Sequence, residues 1–194
     1  MRNRFRSRKT MLLGLAVLVL AGALTAPLYG NAGGTSSSKN HVKVDLYNAA
    51  GASVGFVKLT KQGDKVIVRG ETMGLTAGFH GFHVHAVGQC VPPFTSAGGH
   101  YNPGGASHGS HAGDMPSLLV LDDGTAEVQF ATDNYSIDEL FDSDGSAIII
   151  HAAPDNFANI PTRYQSTTEG VFGPDSATLA TGDSGARIAC GVVD

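Results

Sequence analysis

The sequence predicts an all-β domain, built as a β-sandwich or a closed β-barrel, and three observations support this prediction. Short stretches alternate between apolar and polar residues, as in residues 41–47, where Val42, Val44 and Leu46 share one face. Gly, Asn and Asp turns separate these stretches, and the chain holds 26 glycines. Charged residues make up 15% and apolar residues 42%, a composition that excludes a disordered chain.

About eight strands are predicted in chain order, and they cover residues 41–47, 54–60, 65–69, 82–87, 117–121, 126–130, 147–151 and 187–193. Asp122-Asp123-Gly124 is a hairpin signal between two of them. The best helix candidate covers residues 136–141 and is short. Residues 88–116 and 152–186 are predicted to be irregular, and loops of that length inside a compact domain usually carry function.

The first 32 residues have the pattern of a secretory signal peptide. Five basic residues precede the uncharged apolar run 11–24, and Gly30 and Ala32 place small residues where a signal peptidase reads them. The run is shorter than the about 20 residues that a membrane span needs. We therefore expect cleavage after Ala32, a flexible linker over 33–40, a folded domain over 41–194 and no membrane span after cleavage. The exported protein would be periplasmic, on the cell surface or secreted. An uncleaved membrane anchor is the alternative.

Charge and cysteine content narrow the function classes of the exported domain. Without residues 1–32, eight basic and seventeen acidic residues remain, a formal charge of −9, which argues against nucleic acid as a partner. Cys90 and Cys190 are the only two cysteines, and an even pair in an exported protein most simply forms one disulfide. Two free thiols are the alternative.

Histidines concentrate in one part of the chain. Residues 80–114 hold six of the eight histidines, Asp114 lies in the same run, and His151 ends a predicted strand. His83 and His85 lie two apart on a predicted strand, so both rings project from one face. Imidazole suits copper and zinc, and one carboxylate is a normal zinc ligand. Seven donors are too many for one tetrahedral ion. With His100 shared between two ions, they divide into a four-histidine set and a set of three histidines and one carboxylate.

Two histidines stand apart from this cluster. His80 is out of phase with His83 and His85, because its offset from His83 is odd, and we expect a structural role for it. His41 lies in the first predicted strand, and nothing assigns it to a site.

Five separated motifs of the chain resemble those of the copper/zinc superoxide dismutases. They read GFHGFHVH at 78–85, TSAGGHYNP at 95–103, HAGD at 111–114, IIIH at 148–151 and GDSGARIACGV at 182–192. The resemblance runs in order over residues 41–193 and is closest to exported bacterial members. It implies an eight-stranded Greek-key β-barrel or sandwich, immunoglobulin-like, with two long functional loops.

The resemblance also implies a copper- and zinc-dependent superoxide dismutase that protects the cell envelope by converting superoxide to O2 and hydrogen peroxide. The four-histidine set matches the family's copper ligands, which here are His83, His85, His100 and His151. The second set matches its zinc ligands, which here are His100, His108, His111 and Asp114, with His100 as the bridging imidazolate that takes up and delivers a proton. Arg187 matches the arginine that guides and holds the anion, and Thr181 matches a channel-lining threonine. Asp155 matches the carboxylate that links a copper histidine to a zinc histidine. Cys90 and Cys190 match the intrasubunit disulfide, which we expect to preorganise the site because it joins the Arg187 segment to the copper-ligand strand.

Two features depart from the family's pattern. The gap from His108 to His111 is short, so the zinc subloop must close tightly, and we expect copper binding to be better supported than zinc binding. Ala180 stands where a steering lysine often precedes the threonine. The sequence is compatible with a homodimer, but no long apolar patch identifies an interface for one.

Two other functions compete with dismutation. A cupin-type enzyme also carries His-x-His on a strand, but it needs an acid shortly after the second histidine, and Gly88, Gln89 and Cys90 supply none. A non-catalytic exported module for metal storage or delivery could use the same ligands. Arg187 favours anion turnover, because a metal store needs no anion anchor.

Overall fold

The computed structural model describes residues 39–194. The predicted signal peptide, its cleavage position and most of the predicted linker lie outside the described residues. Within the described range no helix is long and apolar enough to cross a membrane.

Nine strands and one short α-helix make up the domain. The strands are β1 (His41–Asn48), β2 (Ser53–Gln62), β3 (Lys65–Thr72), β4 (Gly78–His80), β5 (Phe82–His85), β6 (Leu118–Val120), β7 (Ala126–Thr132), β8 (Ser146–His151) and β9 (Arg187–Val193). Helix α1 spans Ser176–Thr181, and 3-10 turns lie at Thr95–Ala97 and Asp138–Phe141.

Seven strands form one curled antiparallel sheet in the order β5-β8-β9-β1-β2-β3-β7, and β4 pairs with β6 in a separate two-stranded sheet. The neighbours β9–β1 and β3–β7 are far apart in the chain, which is the Greek-key arrangement expected for this all-β fold. The alternating residues of β1 to β3 point into one apolar core, as their period of two predicts.

Strand β8 is buried along its whole length. Ile148 and Ile150 face the main core, whereas Ala147 and Ile149 pack against a second cluster with Phe94 and Cys190. The loop between β5 and β6 therefore covers the outer face of β8. This double burial explains why the strand reads as an uninterrupted apolar run in the sequence.

The structure corrects the predicted elements in three places. β4 was missed because it has only three residues, and Gly81 separates it from β5. The helix predicted over 136–141 is a 3-10 turn over Asp138–Phe141. Helix α1 lies in a stretch predicted to be irregular, although Asp175 caps its first turn and Gly182 ends it with a positive φ of 60°.

Candidate metal centre

Paired strands bring the first histidines together. β5 carries His83 and His85 and pairs with β8, which ends at His151. An isolated bridge between His85 and His100 brings the following loop onto the edge of β5, and a second bridge joins His83 to Asp114. Residues far apart in the chain thus converge beside one strand.

The four-histidine set surrounds a common point. The His85 and His151 Nδ1 atoms lie 3.0 and 3.1 Å from the carbonyls of Gly98 and Gly185, so their Nε2 atoms face each other at 3.3 Å. Donor atoms of His83, His85, His100 and His151 all lie within 4.8 Å of one another, and all four residues are buried. This is a donor set of four imidazole nitrogens.

The second set converges on one carboxylate oxygen. Asp114 Oδ1 lies 3.0 Å from His100 Nδ1 and 3.3 Å from the Nδ1 atoms of His108 and His111. Donor atoms of His83, His100, His108 and Asp114 all lie within 4.8 Å of one another, and the His111 Nδ1 atom lies 3.3 Å from the His100 Nδ1 atom. The three histidines and the carboxylate predicted to form this set are therefore brought together.

The arrangement of these donor atoms is suited to binding metal ions, because two of the buried nitrogens form no hydrogen bond within the protein. The buried Nδ1 atoms of His83 and His108 have no hydrogen-bond partner, although His108 Nδ1 lies 3.3 Å from Asp114 Oδ1. A tetrahedral zinc site with bonds of about 2.0–2.1 Å places its ligand atoms about 3.3–3.4 Å apart. The spacings of 3.0–3.3 Å around Asp114 Oδ1 approach this value. A pair of cations would satisfy both orphaned nitrogens.

His100 lies between the two sets. Its ring centroid is 4.0 Å from that of His83 and 4.9 Å from that of His85, and it is 5.1 and 5.3 Å from those of His108 and His111. Its Nδ1 faces the carboxylate set, so its Nε2 is the atom available to the four-histidine set. This is the placement that a bridging imidazole requires.

Asp155 orients one histidine of each set. Its two carboxylate oxygens lie 2.7 Å from the Nε2 atoms of His83 and His108, and the Phe157 amide donates to the Oδ1 oxygen at 2.7 Å. These contacts turn both Nδ1 atoms toward the centre. Such outer partners of metal-binding histidines set the ring orientation and tautomer.

Burial lowers the pKa values of three histidines of the four-histidine set, His83, His85 and His151, and so favours their neutral form. Burial, with a smaller contribution from His100, lowers the pKa of His85 to about 2, and burial lowers the pKa of His151 to about 3. Neutral imidazoles are the form that binds a metal. Burial also acts to lower the pKa of His108, but Asp114 and Asp155 outweigh it and raise that pKa to about 9. Their histidine partners hold the pKa values of both carboxyls well below the usual range, although burial opposes this.

The short gap from His108 to His111 closes through Gly109. This residue has a positive φ of 84°, and a Cβ there would overlap the Phe157 carbonyl. The Gly109 and His111 amides donate to the second oxygen of Asp114 at 2.8 and 3.0 Å. The tight closure expected from the sequence is therefore achieved by a loop wrapped around the Asp114 carboxylate.

Arg187 lies at the mouth of the four-histidine set. Its guanidinium donates to the carbonyls of Phe94 and Gly98 at 2.6 Å each. A cleft of about 470 Å³ is lined by Arg187, Thr181 and Asp183, together with His100 and His151. Thr181 is the last residue of α1, and its hydroxyl donates to the Ala177 carbonyl of the same helix at 2.9 Å.

The disulfide predicted from the cysteine count is present, between Cys90 and Cys190. It joins β9, which begins at Arg187, to the loop whose Phe94 carbonyl holds the same arginine. The disulfide therefore connects both sides of the Arg187 anchor.

His80 lies outside both donor sets. Its ring nitrogens lie 2.6 Å from the His151 carbonyl and 2.8 Å from the Thr76 carbonyl. It supports the backbone of a site histidine, and His41 is exposed on β1.

Sequence reasoning missed three positions that shape the site: Gly182, which packs against Asp155 and His108, and the carbonyls of Phe94 and Gly98. The Gly98-Gly99 pair before His100 was the available signal for Gly98. Phe94 gave none, since a carbonyl acceptor leaves no mark on residue type.

Comparison with known proteins agrees with this geometry. A family model described as "Copper/zinc superoxide dismutase (SODC)" matches residues 53–193. The chain belongs to the copper/zinc superoxide dismutase family. A superoxide dismutase [Cu-Zn] from Mycobacterium tuberculosis is 46% identical over 130 residues, which cover 61% of this chain. The aligned region covers 54% of that relative, so the chain spans about half the length of the mycobacterial family members it matches.

Other similar proteins align over nearly their whole length. Superoxide dismutase [Cu-Zn] 2 from Brassica juncea is 32% identical over 157 residues, covering 77% of this chain and 95% of the relative. The structure of a SOD-like protein from Bacillus subtilis superposes with a TM-score of 0.63 at 31% identity, covering 81% of this chain and 100% of that one. The Cu/Zn superoxide dismutase from Brucella abortus gives a TM-score of 0.60 at 26% identity, covering 79% and 99%.

Proposed function

We propose that this protein is a superoxide dismutase that converts superoxide to O2 and hydrogen peroxide. The observation that carries the proposal is the position of His100, which lies between two donor sets beside an anchored arginine. A copper-binding store would need the first set, but it would need neither the shared imidazole nor a guanidinium at the mouth of the cleft.

The donor chemistry assigns the metals. Four imidazoles, from His83, His85, His100 and His151, suit copper, whereas three imidazoles and the Asp114 carboxylate suit zinc. Copper bound at the first set would supply the one-electron exchange between Cu(II) and Cu(I). The second set, with Asp155 behind it, holds the His100 ring in a fixed orientation.

The chain's own residues bind the anion and handle the protons. Arg187 keeps its charge despite burial that lowers its pKa, and two carbonyls fix its guanidinium beside the cleft. It binds and orients superoxide electrostatically. One superoxide gives up an electron and leaves as O2. A second superoxide receives that electron and two protons and leaves as hydrogen peroxide, with one proton held at His100 Nε2 and the other coming from solvent.

The setting of this activity is part of the proposal. A basic segment followed by an uncharged apolar run supports export, and the Cys90–Cys190 disulfide is of the kind that persists in oxidising compartments. The enzyme would then remove superoxide at the cell envelope.

The test combines metal content with turnover. Protein loaded with copper and zinc should bind one of each and consume superoxide in a pulse-radiolysis assay. His151→Ala and Arg187→Gln should lower the rate, whereas His41→Gln, which removes an exposed histidine outside the site, should not. Tight copper binding with no activity above that of free copper would overturn the proposal and favour a metal store.

A further inference from the structure

The basic residues of the domain are concentrated on one part of the chain. Residues 39–72 carry six basic and three acidic side chains, whereas residues 73–194 carry two basic and fourteen acidic ones. None of the six lines the cleft beside the metal centre. An acidic domain thus has one region of positive charge that the proposed dismutase function does not use.

The strand register aligns three of these cations. Lys43 on β1 lies directly opposite Lys58 on β2, and Lys58 lies directly opposite Arg69 on β3. All three are exposed, and we refer to them as the cationic row. Directly opposite residues have Cβ atoms about 4.5–5.5 Å apart, so the row runs straight across three strands.

Two of the three cations in the row have no ion-pair partner within the described residues. Like charges directly opposite each other destabilise a sheet. Lys43 pairs with Asp45, but among residues 39–194 neither Lys58 nor Arg69 forms an ion pair. Arg69 Nε donates to Gln129 Oε1 at 2.9 Å, which fixes the guanidinium and leaves its terminal amino groups free of described partners. An external anion would supply the missing negative charge.

The flanking residues limit the shape of that anion. The next outward-facing positions on one side are Asp45, Phe56, Glu71 and Glu127, which are aligned in register and carry three carboxylates. On the other side, the aligned positions carry no acidic residue; they are His41, Thr60, Ile67 and Ala131. The negative headgroups of a flat anionic bilayer would also lie close to the carboxylates of Asp45, Glu71 and Glu127, which would repel them. A linear polymer can lie along the cationic row alone.

We propose that the cationic row is a docking site for a linear polyphosphate chain, a phosphate polymer without bases, that crosses strands β1 to β3. Arginine presents a fork that matches phosphate oxygens, and lysine binds phosphate as a point charge. The row shares no residue with the cleft, so the docked protein keeps its dismutase activity.

Long-chain inorganic polyphosphate is the probe, with the full chain and fluorescence anisotropy at several salt concentrations. Lys58→Gln/Arg69→Gln should weaken binding at least tenfold at low salt. It should also flatten the slope of log affinity against log salt by about 1.4, at about 0.7 for each lost contact. The matched control Lys39→Gln/Arg163→Gln removes two exposed cations outside the row and should change affinity less than threefold. Glu71→Gln/Glu127→Gln should strengthen binding.

The possible results separate the proposal from its competitors. If the row variant and the control weaken polyphosphate binding equally, binding depends only on general charge attraction, and the proposal is overturned. Binding to vesicles of anionic lipid without binding to polyphosphate would also overturn it in favour of a bilayer. Tighter binding to single-stranded DNA than to polyphosphate would overturn it in favour of a nucleic acid. All row variants should keep wild-type superoxide consumption and should unfold at or above the wild-type temperature, because like charges across the strands are removed. This separates loss of docking from loss of fold or activity.

Discussion

Substituting Gly182 should disrupt the Asp155 clamp, the pair of hydrogen bonds from the His83 and His108 rings to the Asp155 carboxylate that joins the two donor sets. Gly182 ends helix α1 with a φ of +60°, a conformation that strains any residue with a Cβ. A Cβ there would overlap both Asp155 Oδ1 and His108 Nε2, two atoms that already lie 2.7 Å apart in a hydrogen bond. The added methyl group cannot be accommodated unless that hydrogen bond breaks.

The magnitude follows from two contributions. The left-handed backbone conformation costs about 1–2 kcal/mol for a residue other than glycine. Loss of a hydrogen bond to a charged group costs about 1.5–3 kcal/mol. Gly182→Ala should therefore lower the free energy of unfolding of the metal-free protein by about 2.5–5 kcal/mol. Because the clamp also orients His108 Nδ1, metal affinity should fall about 10–100-fold.

Gly105→Ala is the matched control. Gly105 has a φ of 64°, and a Cβ added there would have no atom within 4 Å, so its substitution carries only the backbone cost. Urea unfolding with the disulfide intact gives the free energies, and competition with a chelator gives the metal affinities. In an Asp155→Ala background, Gly182→Ala should cost less than in the wild type. The displaced acceptor is already gone, and the His108 ring, no longer held by Asp155, can turn away from the added methyl group. Equal costs for Gly182→Ala and Gly105→Ala in the wild-type background would refute the reasoning.

Three further predictions concern the arginine, the pH and the disulfide. Arg187→Gln should lower kcat/KM for superoxide at least tenfold, as measured by pulse radiolysis. Arg187→Lys keeps the charge but not both hydrogen bonds to backbone carbonyls, so its kcat/KM should lie between those of Arg187→Gln and the wild type. The metal-free protein should lose thermal stability as pH rises from about 6.5 to about 9, because His108 has its pKa raised to about 9 in the fold. A flat melting profile over that range would contradict this. Cys90→Ser removes the disulfide that closes a loop of 100 residues, so the free energy of unfolding should fall by up to about 4.7 kcal/mol. Its activity should also fall at temperatures where circular dichroism shows a folded protein, because the Phe94 carbonyl is no longer tethered beside Arg187.

Local patterns were sufficient to predict most strands. Alternation with a period of two predicted β1 to β3, since one face of each lies on the core and the other in water. The same rule fails for β4, which is too short to show a period, and α1 was missed because six residues give less than two turns of helical pattern.

The residue types and spacings by themselves determined which side chains could bind metals and which two cysteines could pair. Only the tertiary structure decided how those groups are used. It placed both oxygens of Asp155 against His83 and His108, which leaves their Nδ1 atoms free, and it put Arg187 against the Phe94 carbonyl. It also aligned Lys58 with its cationic neighbours through strand register. The physical reason is that periodicity reports the environment of each residue, whereas distances between remote residues depend on register and loop packing.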